Sequence, residues 1–324
     1  MSQITAHDAI ELALAEEMRR DPRVVVFGEG VATKRPALLA EFGRDRVRNT
    51  PLAEGIIAGT AAGAAAMGLR PVIDLLFAPF LTLAMDAIVN SAGKLRYLSG
   101  GQFEFPLTVV AMTGAGWAIG AQHNHNLEAM FVHAPGLKVV MPSCAADTKT
   151  LLQAAIRDDN PVLFFQDIAL VHAPGDVRAE EPAGALGRAA VRRAGTDVTL
   201  VSYAKTVHAC AEAAEALAAR GIDAEVIDLR SLKPLDEAAV LASVRKTGRL
   251  VVVHEANGNC GVGAEVAARV SERAFHALRA PVLRLTGPDA PAAASWVLEQ
   301  AAVPQAPAIV EAAARLVDET LAAV

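Results

Sequence analysis

Residues 137–165, LKVVMPSCAADTKTLLQAAIRDDNPVLFF, decide how the rest of the chain is understood. Leu137–Met141, apolar except for Lys138, and Val162–Phe165 are short runs rich in Val, Leu and Phe, which predicts buried strands. Between them Asp147–Arg157 is longer and mixes charge with apolar residues, which predicts a helix. A strand, a helix and a second strand in so little chain form a parallel α/β unit, because parallel strands need a crossover and are covered on both faces.

The same alternation extends in both directions. Toward the N-terminus, strands are predicted at Val24–Phe27, Val72–Leu76 and Leu107–Met112. Helices are predicted at Thr5–Arg20, near Pro36, after Glu54, at Phe80–Leu98 and at Leu127–His133. The first helix carries Ile10, Leu14 and Met18 on one face, and Thr5 with Asp8 has capping-box spacing. His172–Gly187 is rich in Pro, Gly, Ala and acids without apolar periodicity, which predicts a linker. Beyond it come strands at Val198–Tyr203, Ala224–Leu229, Leu250–His254 and Val282–Leu285, with helices near Val207, Asp236 and Val262 and a last one over about Ala308–Ala322. The expected organisation is an α/β domain over 1–171, a linker over 172–195 and a second α/β domain over 196–324, a natural division for 324 residues.

Composition narrows the class of function. The chain is 53% hydrophobic but only 4% aromatic, which suits closely packed helices on parallel sheets. Thirty Lys and Arg against 36 Asp and Glu give a formal charge of -6 with no basic run, so nucleic acid is not an expected partner. Cys144, Cys210 and Cys260 share no metal-type spacing, and buried thiols are expected. No charged leader precedes an apolar run, and the most apolar segment, Gly55–Gly68, is too short to span a bilayer; a cytoplasmic, membrane-free protein is expected. Gly55, Gly59 and Gly63 recur every four residues, a side-chain-free stripe that costs about 1 kcal/mol of helix stability per Gly relative to Ala. The stripe packs either within its own domain or against another subunit.

Three carboxylates need comparing: Glu29 in the turn after the first strand, Glu54 at a helix start and Glu255 after the strand ending at His254. Parallel sheets place their chemistry at such strand ends, although Glu54 at a helix start also simply complements the helix dipole. Gly114–Gly120 superficially resembles a dinucleotide loop and raises an NAD-dependent oxidoreductase as the rival reading. The loop runs on into Gln122-His123-Asn124-His125 instead of a helix, and the next strand ends in Met141-Pro142 where a ribose-binding acid is wanted. His123, His125 and His133 lack the Cys or carboxylate that would complete a metal site. Neither a Gly-X-Ser-X-Gly elbow nor a phosphate-cradling Walker loop is present.

Taken together, the segments resemble the β subunit of the thiamine-diphosphate-dependent, decarboxylating component of 2-oxo acid dehydrogenase complexes. The resemblance is carried in order by Thr50-Pro51-Leu52-Ala53-Glu54; Phe77 and Phe80 with Asp86, Ile88, Asn90 and Lys94; Tyr97–Gly101; Gly120-Ala121-Gln122-His123; Pro135–Val140; and Ala155–Pro161. Val226–Arg230, Lys233–Asp236, Thr247–Leu250 and His254-Glu255 continue it through the second domain. It implies a pyrimidine-binding domain followed by a transketolase C-terminal-like domain. It also implies roles. Glu54 would hold the far ring nitrogen of the cofactor's aminopyrimidine, Phe80 would pack on that ring with Leu52 among the cofactor-binding residues, and His123 would face thiazolium and substrate. Glu29 would be an acid between paired active sites. A potassium-type site would fall on Leu107, Ala155, Ile156, Asp158 and Asn160.

The family's Gly-Asp-Gly motif for diphosphate and Mg2+ is absent from this chain. The resemblance therefore implies an α subunit carrying it, in an α2β2 heterotetramer, with a lipoyl-bearing acyltransferase core as the next partner. The implied activity is decarboxylation of a small, pyruvate-like 2-oxo acid with acyl transfer to lipoamide. An acetoin dehydrogenase β subunit is the nearest alternative, and a divergent subunit kept for assembly or regulation is another. Gly30 in place of a second acid, Gln122-His123-Asn124-His125 in place of Gln-His-Ser-Gln, Gln166-Asp167 in place of Glu-His, and the absence of a second proline from Asp289-Ala290-Pro291-Ala292 depart from the family pattern.

Overall fold

A computed structural model describes residues 2–178 and 183–322. They form two compact units: one of residues up to Thr113 with Met130–Leu186, the other of Gly114–Ala129 with the chain from Gly187 onward.

The first unit opens with β1 (Ser2–Thr5) and α1 (Ala6–Arg20). Thr5 caps α1 reciprocally: the Asp8 amide donates to its Oγ1 at 3.1 Å, and its own amide donates to Asp8 Oδ2 at 3.2 Å. Then come β2 (Val24–Glu29), α2 (Val31–Lys34), α3 (Pro36–Phe42), β3 (Val47–Thr50), α4 (Glu54–Ala66) and β4 (Arg70–Phe77). The single helix expected over Phe80–Leu98 is instead a 3-10 segment, Ala78–Ala84, a π segment, Asp86–Ala92, and α5 (Gly93–Leu98). The π segment carries a ladder in which Lys94 donates to Asn90 and Asn90 to Asp86, each at 2.8 Å. The unit continues through β5 (Thr108–Thr113), α6 (Glu128–His133), β6 (Lys138–Val140), α7 (Ala145–Arg157) and β7 (Val162–Asp167). The segment expected as a linker begins with β8 (Pro174–Val177), which pairs antiparallel with β1, while its residues 179–182 lie outside the described residues.

Six strands of this unit lie parallel in the order β6-β7-β5-β4-β2-β3. Ile10, Leu14 and Met18 of α1 join Leu151, Leu152, Ala155 and Ile156 of α7 in one core with Val24, Val26 and Phe164 of the sheet. Glu17 is fully buried beside this core, and its carboxylate accepts from Arg157 at 2.5 Å and Arg20 at 2.7 Å. A carboxylate so placed needs such partners to offset its lost hydration.

The second unit contains β9 (Ala190–Arg193), β10 (Val198–Ser202), α8 (Thr206–Ala218), β11 (Ala224–Asp228), β12 (Ser231–Lys233), α9 (Glu237–Thr247), β13 (Leu250–Asn257), α10 (Val262–Arg273), β14 (Leu283–Gly287), α11 (Trp296–Ala302) and α12 (Ala306–Ala322). Its sheet runs β14-β13-β10-β11-β9, parallel except for β9. Leu200, Val251 and Val253 of the sheet pack with Leu217 of α8 and Ile309, Ala313 and Leu316 of α12. In both units the strand order reverses about an inner strand, β2 in the first and β10 in the second, and ligands of α/β sheets sit at the carboxyl ends of strands at such points.

Gly136 turns the chain into β6 with φ +87°, and a Cβ there would lie 1.8 Å from the Gly93 carbonyl oxygen. Gly136→Ala is therefore expected to cost about 3 kcal/mol, the left-handed strain plus the displacement of backbone. Gly43→Ala, with φ +73° but nothing within 4 Å, should lose only about 1 kcal/mol. Urea unfolding of both variants checks this, and equal losses would contradict the close approach.

Candidate active site

The reversal at β2 gathers the first group of candidate residues on one sheet edge. β2 ends in Glu29, whose Cα lies opposite that of Thr50 at the end of β3. Lys34 folds back to donate to the Glu29 carbonyl at 3.1 Å, and the Asn49 side chain accepts from the Ala32 amide at 2.7 Å, fixing this corner. Glu54 is the first residue of α4; its N-cap, Ala53, supplies no side-chain hydrogen bond. The half-buried Glu54 carboxylate thus stands where unpaired helix N–H groups favour negative charge. Phe77 ends β4, next in the sheet to β2, and meets the half-buried Phe80 edge-on at 6.4 Å and 73°.

Leu52 and Ile56 flank Glu54 and are 67% and 72% exposed. The glycine stripe of α4 continues this open face. A Cβ at Gly59 or Gly63 would have nothing within 4 Å, and only Gly55 is close-packed, 3.0 Å from the Leu83 carbonyl. Packing inside the domain, one of the two readings of the stripe, is therefore not what Gly59 and Gly63 do.

His123 lies in the second unit, on the loop Gly114–Asn126 that leaves the carboxyl end of β5. The loop is bent by left-handed backbone at Gly114, Gly120 and Ala118, the last an alanine at φ 51°. Two carboxylates hold it. Glu255, at the end of β13, accepts from the Ala115 amide at 3.3 Å and pairs with Lys205, which also donates to the Ala115 carbonyl. Gly114 sits at φ +90°, where any side chain is strained, and a Cβ there would also displace the Glu255 carboxylate, 2.0 Å away. Glu299 of α11 accepts from the Ala118 amide at 3.1 Å and from the Asn124 side chain. The amides of His123 and Asn124 both donate to the Gly120 carbonyl, at 3.2 and 3.1 Å. Asn124, His125, Glu255 and Glu299 also line a cleft of about 60 Å³, room for a water or two.

Beneath the loop, Glu128 is buried and accepts from the Tyr203 hydroxyl at 2.7 Å, and Tyr203 stacks on His254 at 5.7 Å and 20°. Burial pushes the Glu128 carboxyl up to about 7, the Tyr203 hydrogen bond only partly opposing it. Burial pushes His254 down to about 4. Burial first, then the Glu128 charge, raises the Tyr203 hydroxyl well above its ordinary range.

The residues expected at a potassium-type site adjoin one another, but side-chain cations already occupy most of their oxygens. Arg70 donates to the carbonyls of Ile156 at 3.0 Å and Asp158 at 3.2 Å, and to the Asp159 carboxylate at 2.6 Å. Lys138 pairs with the Asp158 carboxylate, whose other oxygen accepts from the Asn160 amide at 2.9 Å. Arg96 donates to Asn160 Oδ1 at 3.0 Å, the Leu107 carbonyl accepts from Val162 at 2.9 Å, and that of Ala155 accepts from Asp158 at 3.3 Å. This arrangement does not fit a further cation unless Arg70 withdraws. No cluster of three or more His, Cys, Asp or Glu able to hold a metal occurs among the described residues, and no described helix is long and apolar enough to cross a membrane.

Glu29, Glu54 and Phe80 thus share one sheet edge, whereas His123 belongs to the other unit's loop. Sequence reasoning missed Glu128 and Glu299 and met Asn124 only as a departure from the family pattern. The signal for Glu299 was its place as an acid inside the otherwise uncharged run Trp296–Ala302.

Residues 2–171 match the family model for the transketolase pyrimidine binding domain, and residues 187–309 that for the transketolase C-terminal domain. The chain is 40% identical to the acetoin:2,6-dichlorophenolindophenol oxidoreductase subunit beta of Bacillus subtilis (strain 168), over 98% of each chain. It is 43% identical to the pyruvate dehydrogenase E1 component subunit beta of Rhizobium meliloti (strain 1021), covering 96% of this chain and 69% of that one. With the 2-oxoisovalerate dehydrogenase subunit beta of Bacillus subtilis (strain 168) it shares 42% over 90% and 91%. Among solved structures, a split gene transketolase described as an inactive beta4 tetramer superimposes with a TM-score of 0.82 at 27% identity, over 97% of this chain and 98% of that one.

The buried pair gives opposing pH dependences. Between 4.5 and about 7 the unfolded chain releases the Glu128 proton that the folded chain keeps, so this contribution to stability is lost as pH rises. Between about 4 and 6.5 the unfolded chain binds a proton that folded His254 refuses, so stability rises with pH. Each slope is about 1.4 kcal/mol per pH unit, and they cancel where they overlap. Relative to the parent, Glu128→Gln should gain stability as pH rises through its window and His254→Asn should lose it. Urea unfolding across pH 4–7.5 checks this, and a difference flat in pH would contradict the burial.

Proposed function

We propose that this chain, which belongs to the transketolase-type β subunits of 2-oxo acid dehydrogenases, builds the pyrimidine-binding half of a thiamine-diphosphate active site that an α subunit completes. The observation that carries the reading is Glu54: a half-buried carboxylate on the first turn of α4, at the edge where β2, β3 and β4 end, with Phe80 beside the end of β4. When bound, thiamine diphosphate supplies the nucleophilic carbon that adds to the 2-oxo group and the electron sink for loss of carbon dioxide. Glu54 would hold a proton at the far ring nitrogen of the aminopyrimidine, and so would tune that ring to act as the base the bound cofactor needs. A charge-assisted hydrogen bond of this kind is about twice as strong as a neutral one. Phe80, braced edge-on by Phe77, gives the ring an apolar wall, and Leu52 adds to it. His123 moves a proton at the substrate carbonyl, and Glu29 is the acid placed between paired sites.

The substrate is a small 2-oxo acid, decarboxylated with acyl transfer to lipoamide, or acetoin as the alternative; relatives of both kinds match at 40–43% identity. This chain has no Gly-Asp-Gly, so diphosphate and Mg2+ fall to the α subunit, in an α2β2 assembly that docks a lipoyl-bearing acyltransferase core. A potassium ion on Leu107, Ala155, Ile156, Asp158 and Asn160 would compete with Arg70 for the Ile156 and Asp158 carbonyls. The open face of α4, with Leu52, Ile56 and Met67 exposed around Gly59 and Gly63, supports a second chain packing on this helix. The split gene transketolase is described as an inactive beta4 tetramer, which supports the same division of labour.

Glu54→Gln keeps the shape but not the charge. In the complex reconstituted with the α subunit, it should assemble normally and lose kcat by on the order of 100-fold or more, the scale of removing one charge-stabilising group. Full turnover in an intact assembly would sink the assignment.

A further inference from the structure

We propose that Glu299 and Asn124 are the positioning residues for His123, so that α11, an element remote in sequence, sets the aim of the active-site histidine. The inference rests on the role given to His123 above.

The loop from Ala118 to Asn124 is wrapped on one buried carboxylate. Glu299 and Asn124 are each 2% exposed. The Ala118 amide is shared between both Glu299 oxygens, at 3.1 and 3.2 Å, and the Asn124 side-chain amide donates to Glu299 Oε1. Ala118 is an alanine held at φ 51°, a conformation that costs about 1–2 kcal/mol and persists only where surrounding structure enforces it. The Glu299 carboxylate holds the Ala118 amide in this conformation through both of its oxygens. At the far end of the turn, the His123 and Asn124 amides share the Gly120 carbonyl, so the backbone that carries the imidazole is fixed from both sides. His123 directly precedes Asn124, so the side-chain anchor on Glu299 lies one residue from the imidazole.

Burying a carboxylate is costly unless its oxygens are hydrogen-bonded, and Glu299 spends its hydrogen bonds on this loop. The Asn124 side-chain amide gives this chain a donor matched to the acid.

The test is turnover of the reconstituted αβ complex with pyruvate, 3-methyl-2-oxobutanoate or acetoin, whichever is used fastest. Glu299→Ala should lower kcat by on the order of 10–100-fold, the cost of a catalytic group displaced by about 1 Å, while KM for thiamine diphosphate stays within about twofold. In a His123→Ala background the same substitution should cost less than about twofold more, since the group it aims is gone. Asn124→Asp sets two buried carboxylates against each other and should lower kcat similarly. Adding Glu299→Gln restores a donor-acceptor pair and should recover most of the loss. The proposal is overturned if Glu299→Ala costs the same factor with and without His123, if it leaves kcat within about twofold of the parent, or if Glu299→Gln fails to rescue Asn124→Asp. If His123→Ala itself leaves kcat unchanged, the catalytic role of His123 falls and the positioning role falls with it.

Discussion

Parallel strands all end on the same edge, and the chemistry of this chain depends on that constraint. Because β2, β3 and β4 are hydrogen-bonded neighbours in register, the residues that follow them, Glu29, Glu54 and the Phe77–Phe80 pair, are delivered to one place without any long-range design of loops. The second sheet does the same with β10 and β13, bringing Tyr203 and Lys205 beside His254 and Glu255. Two families of groups that lie far apart in sequence are therefore ordered by backbone pairing before side-chain packing adds anything.

The two edges use charge differently. On the first, Glu54 is held half-buried beside an open apolar face, suited to receiving something from outside the chain. On the second, Glu128, Glu255 and Glu299 are buried side chains, each accepting from at least one donor of the chain itself. A catalytic group must meet its ligand, whereas a positioning group must meet only the backbone it holds, and burial strengthens the latter by excluding competing water.

Much of this was legible in the sequence. Continuous apolar runs such as Val162–Phe165 identify strands covered on both faces, and the capping pair Thr5 and Asp8 marks the start of α1. Other elements carried weaker signals. β1 and β8 are short and pair only with each other, and β9 holds two arginines in four residues, so none of the three looks like a core strand. The stretch from Phe80 to Leu98 keeps helical composition, yet its winding changes twice before Gly93, whose carbonyl Gly136 approaches from a loop more than forty residues away. Glu54 was visible because it sits in a distinctive local string. Glu299 was not, because its meaning lies in the Ala118 amide and the Asn124 side chain, which only folding brings to it.

The central claim is that this chain holds only the pyrimidine half of the cofactor site and depends on a partner for the other half. Calorimetric titration of thiamine diphosphate with Mg2+ tests it most directly, comparing the chain alone with the complex reconstituted with its α subunit. The account predicts no saturable binding to the chain alone and one cofactor bound per αβ pair in the complex. Tight, stoichiometric binding to the isolated chain would contradict it.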